Sequence, residues 1–279
     1  MPLNDRARLL QGGGFNQLAQ VADGYCLYNV HDTYIGGAIA KYGESAGIET
    51  RFLAGLCNPG DIVIDVGANI GSHTVALARR VGREGAVIAF EAQRVVFQAL
   101  CANVALNSLA NVECHWAAVG ARRGTVTVPE LAYDQPNNFG GISLIAGSPG
   151  RAVPLVVLDE LSELPRLRLV KIDVEGMEID VIDGAAKLFA RLRPLLYVEN
   201  DRMDRSPQLM RRIDALGNDM YWHIAPLFNE QNFYGVAENA FPGLAAFNML
   251  CVHRESRIEV AGLQKVVDLD SHPLASRRA

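Results

Sequence analysis

From residue 61 onward the chain alternates short apolar runs with segments of helical periodicity, and no other feature constrains its fold more. The first run, Asp61-Ile-Val-Ile-Asp-Val66, follows a Pro-Gly turn and is typical of a buried strand. Residues 71–80 then predict a helix, with Ser72 as its N-cap. Repeated strand–helix units favour an α/β chain with a mostly parallel, doubly wound sheet and helices on both faces.

Further segments extend this pattern toward the C-terminus. Strands are expected at residues 85–90, 111–116, 168–173 and 194–199, with two more near 220–224 and 246–253. Helices are expected at 94–107 and over a stretch in which Ile179, Ile182, Ala186 and Phe189 share one face.

The strand count predicts three regions in the chain. We expect a helical or irregular N-terminal cover over the site at 1–60, one catalytic domain at 61–255, and a C-terminal tail at 256–279 whose end frays. Two long irregular stretches, 125–158 and 226–243, are expected to act as lids, since long loops in compact domains are often functional.

Composition limits the partners and the compartment. Lys and Arg number 26 and Asp and Glu 31, a net charge of −5 that argues against general nucleic-acid binding. The five cysteines are dispersed without a C-x-x-C pair, which indicates reduced thiols. Without an apolar leader or a run of about 18 apolar residues, we expect a cytoplasmic protein with no membrane contact.

The strongest local motif is Asp65-Val-Gly-Ala-Asn-Ile-Gly71, directly after the first strand of the sheet. Gly67 allows a sharp turn, and Gly71 allows close packing of helix against strand. A dinucleotide site needs a glycine where this chain has Asn69, so close phosphate docking is disfavoured. The acidic Asp65 suits a cationic ligand such as S-adenosylmethionine, whose ammonium it could hold directly or through water.

Glu91 closes the second strand, where a carboxylate can accept both ribose hydroxyls of a nucleoside. Together with the Asp65 motif, it predicts S-adenosylmethionine as the cofactor. A dinucleotide-dependent oxidoreductase is a distant alternative. The loop Asn137-Asn-Phe-Gly-Gly-Ile-Ser143 is expected to cover the cofactor through backbone donors and the Ser143 hydroxyl, with an ordinary turn cluster as the alternative.

Asp173 and Glu175 follow the fourth strand, at the edge where open α/β sheets bind ligands. Methyl transfer needs an aligned acceptor and a group that takes its proton, so both residues are predicted to be catalytic. Asp173 is also a candidate cofactor contact. The structural alternative is that the two carboxylates cap the next helix or favour its dipole. Lys171 could neutralise one of them.

Two histidines have supporting context. His73 lies in the first helical turn after the loop from Gly67 to Gly71, called the glycine loop below, and is assigned to the cofactor site. His223 precedes the aromatic stretch and is predicted to be a catalytic group near the acceptor. A purely structural role is the alternative for each. His253 is expected to be structural, and His272 has no supporting context.

Two further sites remain open alternatives. Asp173, Glu199 and Asn200 could hold Mg²⁺ through oxygen ligands, but no spacing demands it and no metal is assigned. The aromatic and amide side chains of the loop after the sixth strand resemble a sugar-binding surface, or else they pack a lid. These side chains are Phe228, Asn229, Asn232, Phe233 and Tyr234.

Several segments together resemble the FkbM family of S-adenosylmethionine-dependent methyltransferases. They are Tyr42-Gly-Glu44, Asp65–Gly71, Phe90-Glu91, Lys171-Ile-Asp-Val-Glu-Gly-Met-Glu178 and Phe247-Asn-Met-Leu-Cys-Val-His-Arg254. The resemblance spans residues 32–255. In one departure, Ala92 follows the second acid where the family often has proline.

The resemblance implies a Rossmann-like, seven-stranded class I methyltransferase fold. It also implies transfer to oxygen in sugars, glycans or natural products, while the acceptor varies within the family. N-methylation and a non-catalytic module that binds S-adenosylmethionine are the alternatives. The expected partner is therefore a small-molecule or glycan acceptor, with a homodimer as a further option.

Overall fold

An antiparallel hairpin is the first element of the computed structural model, which describes residues 14–142 and 149–275. Strand β1 (Asn16–Val21) pairs with β2 (Gly24–Asn29), and the turn between them uses Gly24 at φ +124°. Alternate side chains of the hairpin, including Tyr28, are buried against Ile70 after the glycine loop. The prediction of a helical or irregular cover is corrected here, because residues 16–29 form a pair of antiparallel strands.

Two helices follow the hairpin. Helix α1 (Ile35–Tyr42) ends at Gly43 in the left-handed conformation, and α2 (Gly47–Gly55) packs on the helix that follows the glycine loop. The buried face of α2 includes Glu49 and Thr50 as well as Leu53. The N-terminal segment thus brings polar side chains, and not only apolar ones, against the main sheet.

The remaining strands and helices follow in chain order. They are β3 (Ile62–Val66), α3 (Ser72–Val81), β4 (Ala86–Glu91), α4 (Arg94–Leu106), β5 (Val112–Trp116), β6 (Ala118–Val119), β7 (Gly124–Pro129), β8 (Gly150–Val156), β9 (Leu169–Ile172), α5 (Glu178–Asp183), α6 (Ala186–Leu192), β10 (Leu195–Glu199), α7 (Ser206–Ala215), β11 (Asn218–Pro226), β12 (Ala245–His253) and β13 (Gln264–Lys265).

The main sheet has the order β13-β11-β12-β10-β9-β3-β4-β5. Strands β5, β4, β3, β9 and β10 are mutually parallel, whereas β12 runs antiparallel to both β10 and β11. The order reverses between β3 and β9, which creates a crevice at the carboxyl ends of the strands. The predicted Rossmann-like fold of seven strands is confirmed, and the two-residue β13 extends its edge.

Apolar side chains alternate between the two faces of this sheet. Ile64 belongs to the core under α5, α6 and α7, while the neighbouring Val63 packs toward α2 and α3. Both residues have no exposed surface. Burial on both faces explains why the parallel strands read as continuous apolar runs rather than as alternating ones.

Two local predictions differ from the structure. The helix expected over residues 179–189 is two helices, separated at Gly184, where a Cβ would lie 2.1 Å from the carbonyl oxygen of Gly120. Gly71, not Ser72, is the N-cap of α3. The tail contributes β13 and buries His272, whose Nε2 lies 2.7 Å from the carbonyl oxygen of Asn200. The end of the tail, which is expected to fray, lies in part outside the described residues.

A small sheet of order β6-β8-β7 includes the ends of the first irregular stretch, 125–158. An isolated bridge between Asp32 and Asn137 ties the loop after β7 to the N-terminal segment. Ser143 lies outside the described residues, so its predicted role stays a prediction. Across 14–142 and 149–275, each helix is too short or too polar to traverse a lipid bilayer.

Candidate active site

A cavity of about 440 Å³ lies at the carboxyl ends of β3, β4, β9 and β10. Six of the predicted site residues line it: Gly67, Asn69, His73, Glu91, Asp173 and Glu175. Asp65, Gly71 and His223 do not. The structure therefore brings together the glycine loop, the acid after β4 and the carboxylates after β9, as expected for ligands at a topological switch point.

The glycine loop turns at Gly67, which has φ +78°. A Cβ at this position would lie 1.8 Å from the backbone oxygen of Asp173, so a side chain would collide with the end of β9. The amides of Gly67 and Ala68 both donate to the carbonyl oxygen of Phe90, at 3.0 and 2.9 Å. The loop is thus held between the ends of β9 and β4, the two strands that flank β3.

Gly71 serves packing, as the sequence predicts. A Cβ there would lie 2.7 Å from Cδ1 of Leu100 on α4. Asn69 adopts φ +51°, and its side-chain oxygen accepts a hydrogen bond of 2.7 Å from the amide of Ile70. Its side chain is therefore used to fix the loop.

Glu91 organises the cavity wall opposite β9. Its Oε2 accepts from the amide of Asn69 at 2.9 Å, and its Oε1 accepts from the amide of Gln93 at 2.7 Å. Burial raises the pKa of Glu91 to about 7, although both hydrogen bonds act to lower it. The carboxylate is held rigidly while it still faces the cavity.

Asp65 lies behind the cavity and has no exposed surface. Its Oδ2 accepts a hydrogen bond of 2.7 Å from the Thr74 hydroxyl, and its Oδ1 lies 3.5 Å from the Lys171 ammonium. The predicted direct contact with a ligand ammonium is corrected by this position. Asp65 instead anchors a lysine that itself reaches the cavity.

Lys171 connects Asp65 with Asp173, whose Oδ2 lies 3.1 Å from the lysine Nζ. Burial alone would lower the pKa of Lys171, but the charges of Asp173, Asp65 and Glu49 raise it far above its usual value. For Asp173, burial acts to raise the pKa, yet the Lys171 charge and a hydrogen bond with Glu199 hold it below the usual range. Asp173 is therefore ionised.

Asp173, Glu175 and Glu199 form a carboxylate cluster whose oxygens lie within 4.8 Å of one another. Burial, followed by the negative charge of Asp173, raises the pKa of Glu199 well above its ordinary value. Like charges at this distance cannot all ionise. The arrangement pairs an ionised Asp173 with a Glu199 that retains its proton.

Glu175 occupies a strained position in the turn after β9. Its φ is +54°, uncommon for a residue with a side chain, and Arg202 donates to its Oε2 at 2.8 Å. Burial and the charge of Asp173 raise its pKa to about 7, although Arg202 acts to lower it. A carboxylate that titrates near neutrality can exchange protons readily, which suits acid–base chemistry.

Comparison with known proteins agrees with this geometry. The sequence model described as the methyltransferase FkbM domain matches residues 65–220, more than half of the chain. The chain belongs to the FkbM methyltransferase family. The predicted family is therefore confirmed.

Relatives of this FkbM protein differ from it considerably. Methyltransferase 1 of Beauveria bassiana (strain ARSEF 2860) is 26% identical over 143 residues, which cover 44% of this chain and 57% of that protein. The match thus spans little more than half the length of this relative.

Two solved structures are also similar. The FkbM methyltransferase of Methylobacillus flagellatus KT is 14% identical, with a TM-score of 0.42 over 68% of this chain and 43% of that one. The precorrin-6y C5,15-methyltransferase of Geobacter metallireducens GS-15 is 13% identical, with a TM-score of 0.48 over 73% of this chain and 86% of that one.

His223 does not lie beside the cavity of the FkbM protein. Its ring stacks on Phe52 with centroids 4.0 Å apart, and its Nδ1 lies 2.7 Å from the Tyr197 hydroxyl. Burial lowers its pKa. The predicted place near the acceptor is corrected, because β11 directs this side chain toward α2 rather than toward the strand ends.

The amides of the aromatic loop are occupied within the fold. Asn229 donates to Glu44 at 2.7 Å, and Asn232 donates to the carbonyl oxygens of Asn229 and Val236 at 2.9 and 2.7 Å. Both asparagines are buried. These contacts favour lid packing over the alternative of a sugar-binding surface.

The Mg²⁺ alternative also changes its members. Asn200 is buried, and its Nδ2 contacts the sulfur of Met249 at 3.4 Å. Glu175 takes the third place beside Asp173 and Glu199.

Side chains from outside residues 65–220 complete the cavity, and no sequence motif identified them. They come from the N-terminal segment and from the segment before and within β12: Tyr34, Ile35, Ser45, Ala46, Glu49, Leu227, Leu244, Ala245 and Ala246. Of these, Glu49 is the charged one, and it lies 3.3 Å from Nε2 of His73. Tertiary packing of α2, rather than a local pattern, brings it there.

Proposed function

We propose that this FkbM protein transfers the methyl group of S-adenosylmethionine to a hydroxyl oxygen of a sugar, a glycan or a natural product. Residues 61–255 would form the catalytic domain, with 1–60 as a cover and 256–279 as a tail. We further propose a cytoplasmic protein that binds neither nucleic acid nor membrane, with a homodimer as its candidate assembly. When bound, S-adenosylmethionine supplies an activated methyl carbon and a sulfonium leaving group.

The glycine loop and Glu91 fit the cofactor. Gly67 lets the loop turn tightly against the end of β9, where a Cβ would collide, and the Glu91 carboxylate faces the cavity with its geometry fixed by two backbone amides. A carboxylate in this position accepts hydrogen bonds from the two ribose hydroxyls. Asn69 and His73 line the same cavity, and the ionised Asp173 favours a cationic group.

In this proposal the acceptor binds beside the carboxylate cluster. The observation that carries the proposal is the raised pKa of Glu175 within that cluster. Its raised pKa, about 7, leaves a substantial fraction ionised at neutral pH while keeping it basic enough to take a proton. Bound S-adenosylmethionine would supply the methyl carbon to the acceptor oxygen, and its sulfur would keep the electrons of the broken carbon–sulfur bond. Glu175 receives the hydroxyl proton, and Asp173 and Glu199 orient the acceptor.

The acidic character of the same end supports N-methylation as a second candidate. Glu49, Asp173, Glu175, Glu199 and Asp201 all line the cavity, so a protonated amine would be attracted to it. The amine must lose a proton before it reacts, and Glu175 would also serve that step. A non-catalytic binding module would have no use for a titratable carboxylate in this place.

Incubation with methyl-labelled S-adenosylmethionine and a panel of hydroxyl- and amine-bearing acceptors tests the proposal. We expect release of S-adenosylhomocysteine and label on oxygen of a hydroxyl acceptor. Label found on nitrogen alone would replace the first candidate with the second. Cofactor binding without transfer to any acceptor would favour the non-catalytic module.

A further inference from the structure

Three large side chains from outside the family-matched region give the cavity an apolar side. Tyr34 immediately precedes α1, Leu227 follows β11 and Leu244 immediately precedes β12, and all three line the cavity. Tyr34 is 37% exposed and Leu244 is 44% exposed, so both offer apolar surface to a molecule that enters this space. We call Tyr34, Leu227 and Leu244 the apolar wall.

The parts of the apolar wall lie next to one another. The amide of Leu227 donates to the carbonyl oxygen of Leu244 at 3.1 Å, and the amide of Leu244 donates to the carbonyl oxygen of Phe241 at 3.2 Å. The Phe241 ring lies 6.2 Å from the Tyr34 ring, centroid to centroid. Leu227 packs in the same apolar cluster as Phe241 and Tyr42. The loop between β11 and β12 and the start of α1 therefore present these side chains as one surface.

The backbone behind this surface is anchored at both ends. Oδ1 of the buried Asp32 accepts a hydrogen bond of 3.0 Å from the amide of Tyr34. On the loop side, the Tyr42 hydroxyl donates to the carbonyl oxygen of Glu238 at 3.0 Å and accepts from the amide of Ala240 at 2.7 Å. A surface fixed in this way does not have to be ordered when a ligand binds, which favours affinity.

The register of the sheet relates the apolar wall to the carboxylate cluster. Glu199, the last residue of β10, pairs with Asn248 of β12, so Leu244 lies four residues farther toward the strand ends. At about 3.3 Å per residue, the backbone of Leu244 is about 13 Å beyond the level of Glu199. Because both regions line one cavity, an acceptor that brings a hydroxyl to Glu175 can lay its far end on the wall.

The two regions differ in chemistry. The cluster offers the carboxylates of Asp173, Glu175 and Glu199, whereas the only polar side-chain atom of the apolar wall is the Tyr34 hydroxyl oxygen. A polar sugar laid on this wall would give up hydrogen bonds with water and leave most of its hydroxyls unpaired, which costs free energy. A hydrocarbon segment would instead be favoured there, because its transfer out of water is favourable.

We propose that the apolar wall binds a hydrocarbon part of the acceptor, aromatic or aliphatic, while the carboxylate cluster receives the hydroxyl of the same molecule. The acceptor is then an amphipathic hydroxyl compound and not a free polar sugar. That the bound molecule is the acceptor rests on the proposed function. The affinity of the wall for a hydrocarbon ligand does not, because it is measured without transfer.

Binding of β-naphthol, a neutral apolar ring system with one hydroxyl, tests the proposal. The full chain is first saturated with S-adenosylhomocysteine, followed by calorimetry, so that the cofactor part of the cavity is filled. β-Naphthol is then titrated and its fluorescence recorded. We expect saturable binding to the wild type, and an affinity about 3–10-fold weaker in Y34A and in L244A, because each variant removes apolar contact surface.

Two variants serve as matched controls. Y34F keeps the ring and loses only the hydroxyl, so it should bind β-naphthol as the wild type does. L106A changes a leucine of similar exposure, 43%, on α4 and away from this cavity, and its affinity should also be unchanged. Methyl glucoside, a polar ring compound, should bind more weakly than β-naphthol.

Absence of saturable β-naphthol binding would overturn the proposal, as would equal affinities in the wild type, Y34A and L244A. Tighter binding of methyl glucoside than of β-naphthol would contradict the hydrocarbon preference, and so would a loss in Y34F as large as in Y34A. Failure of the first step, in which S-adenosylhomocysteine binds, would count against the proposed function alone. β-Naphthol is then titrated into the unloaded protein, and its dependence on Tyr34 and Leu244 decides the proposal by the same criteria.

Discussion

The backbone amide of Asn69 donates a 2.9 Å hydrogen bond to Oε2 of Glu91. This contact joins the loop after β3 to the end of β4, so one carboxylate sets the separation of two cavity walls. The same carboxylate faces the cavity, and in the proposed function it accepts the ribose hydroxyls. Under that proposal, the loop structure and ligand recognition both depend on this side chain.

The protonation of Glu91 links the stability of the protein to pH. Burial raises its pKa from the ordinary 4.5 to about 7, so the folded state binds this proton more tightly than the unfolded state. The stability due to Glu91 is present below pH 4.5 and is lost as the pH rises toward 7. When urea unfolding is measured across this pH range, the free energy of unfolding should fall less with rising pH in E91Q than in the wild type. Equal slopes would contradict the assignment.

The two glycines of the loop should differ in their tolerance of a methyl group. In G67A the new Cβ meets rigid backbone at Asp173, whereas in G71A it meets the movable end of Leu100. Both changes also force alanine into the left-handed region, at about 1–2 kcal/mol. We expect G67A to abolish cofactor binding and to lower the free energy of unfolding more than G71A does. Denaturant titration and calorimetry measure both quantities, and a G67A protein as stable as G71A would refute this reading.

Loss of the base at Glu175 should affect turnover rather than cofactor binding. E175Q keeps the size of the side chain but cannot take a proton, so the methylation rate should fall by about 10²–10⁴-fold. The affinity for S-adenosylmethionine should change little. E130Q, at a surface carboxylate paired with Arg151, is the control and should keep full activity. A fully active E175Q would assign the proton to another group.

His272 should contribute to stability through the C-terminal tail. Its Nδ1 accepts from the amide of Leu274 at 3.1 Å, so Nε2 donates to the carbonyl of Asn200 at 2.7 Å. The ring also packs beside Trp222. H272A leaves a buried carbonyl unpaired, and the free energy of unfolding should fall by about 1–3 kcal/mol. R257A, a substitution at an exposed position of the same tail, should lower the free energy of unfolding far less. An equal loss in R257A would contradict a specific role for the His272 side chain.

Local patterns predicted most of the fold. Strands such as Ile62–Val66 are buried on both faces, so they appear in the sequence as continuous apolar runs between turn residues. The hairpin at residues 16–29 is not predicted because its two strands have only six residues each and show no clear alternation of polar and apolar residues; the polar Gln17, for example, is buried. The split of the helix at Gly184 depends on contact with Gly120, which no local pattern shows.

The same distinction applies to the site. Gly67 and Glu91 were found because a turn and a strand end fix their places within one strand–helix unit. Asp65 and His223 have suitable chemistry, but the pleat directs Asp65 to Thr74 and His223 to Tyr197. Glu49 was missed because its partner Asn248 lies 199 residues away along the chain.

Calorimetric titration of S-adenosylmethionine into the wild-type protein, E91A and E113A tests the central claim most directly. The wild type should bind one equivalent, E91A should bind more weakly by about 1–3 kcal/mol, and the surface variant E113A should match the wild type. Thermal denaturation of E91A checks that it is folded during the measurement. A wild-type protein that binds no S-adenosylmethionine, or a folded E91A with unchanged affinity, would contradict the assignment of this cavity.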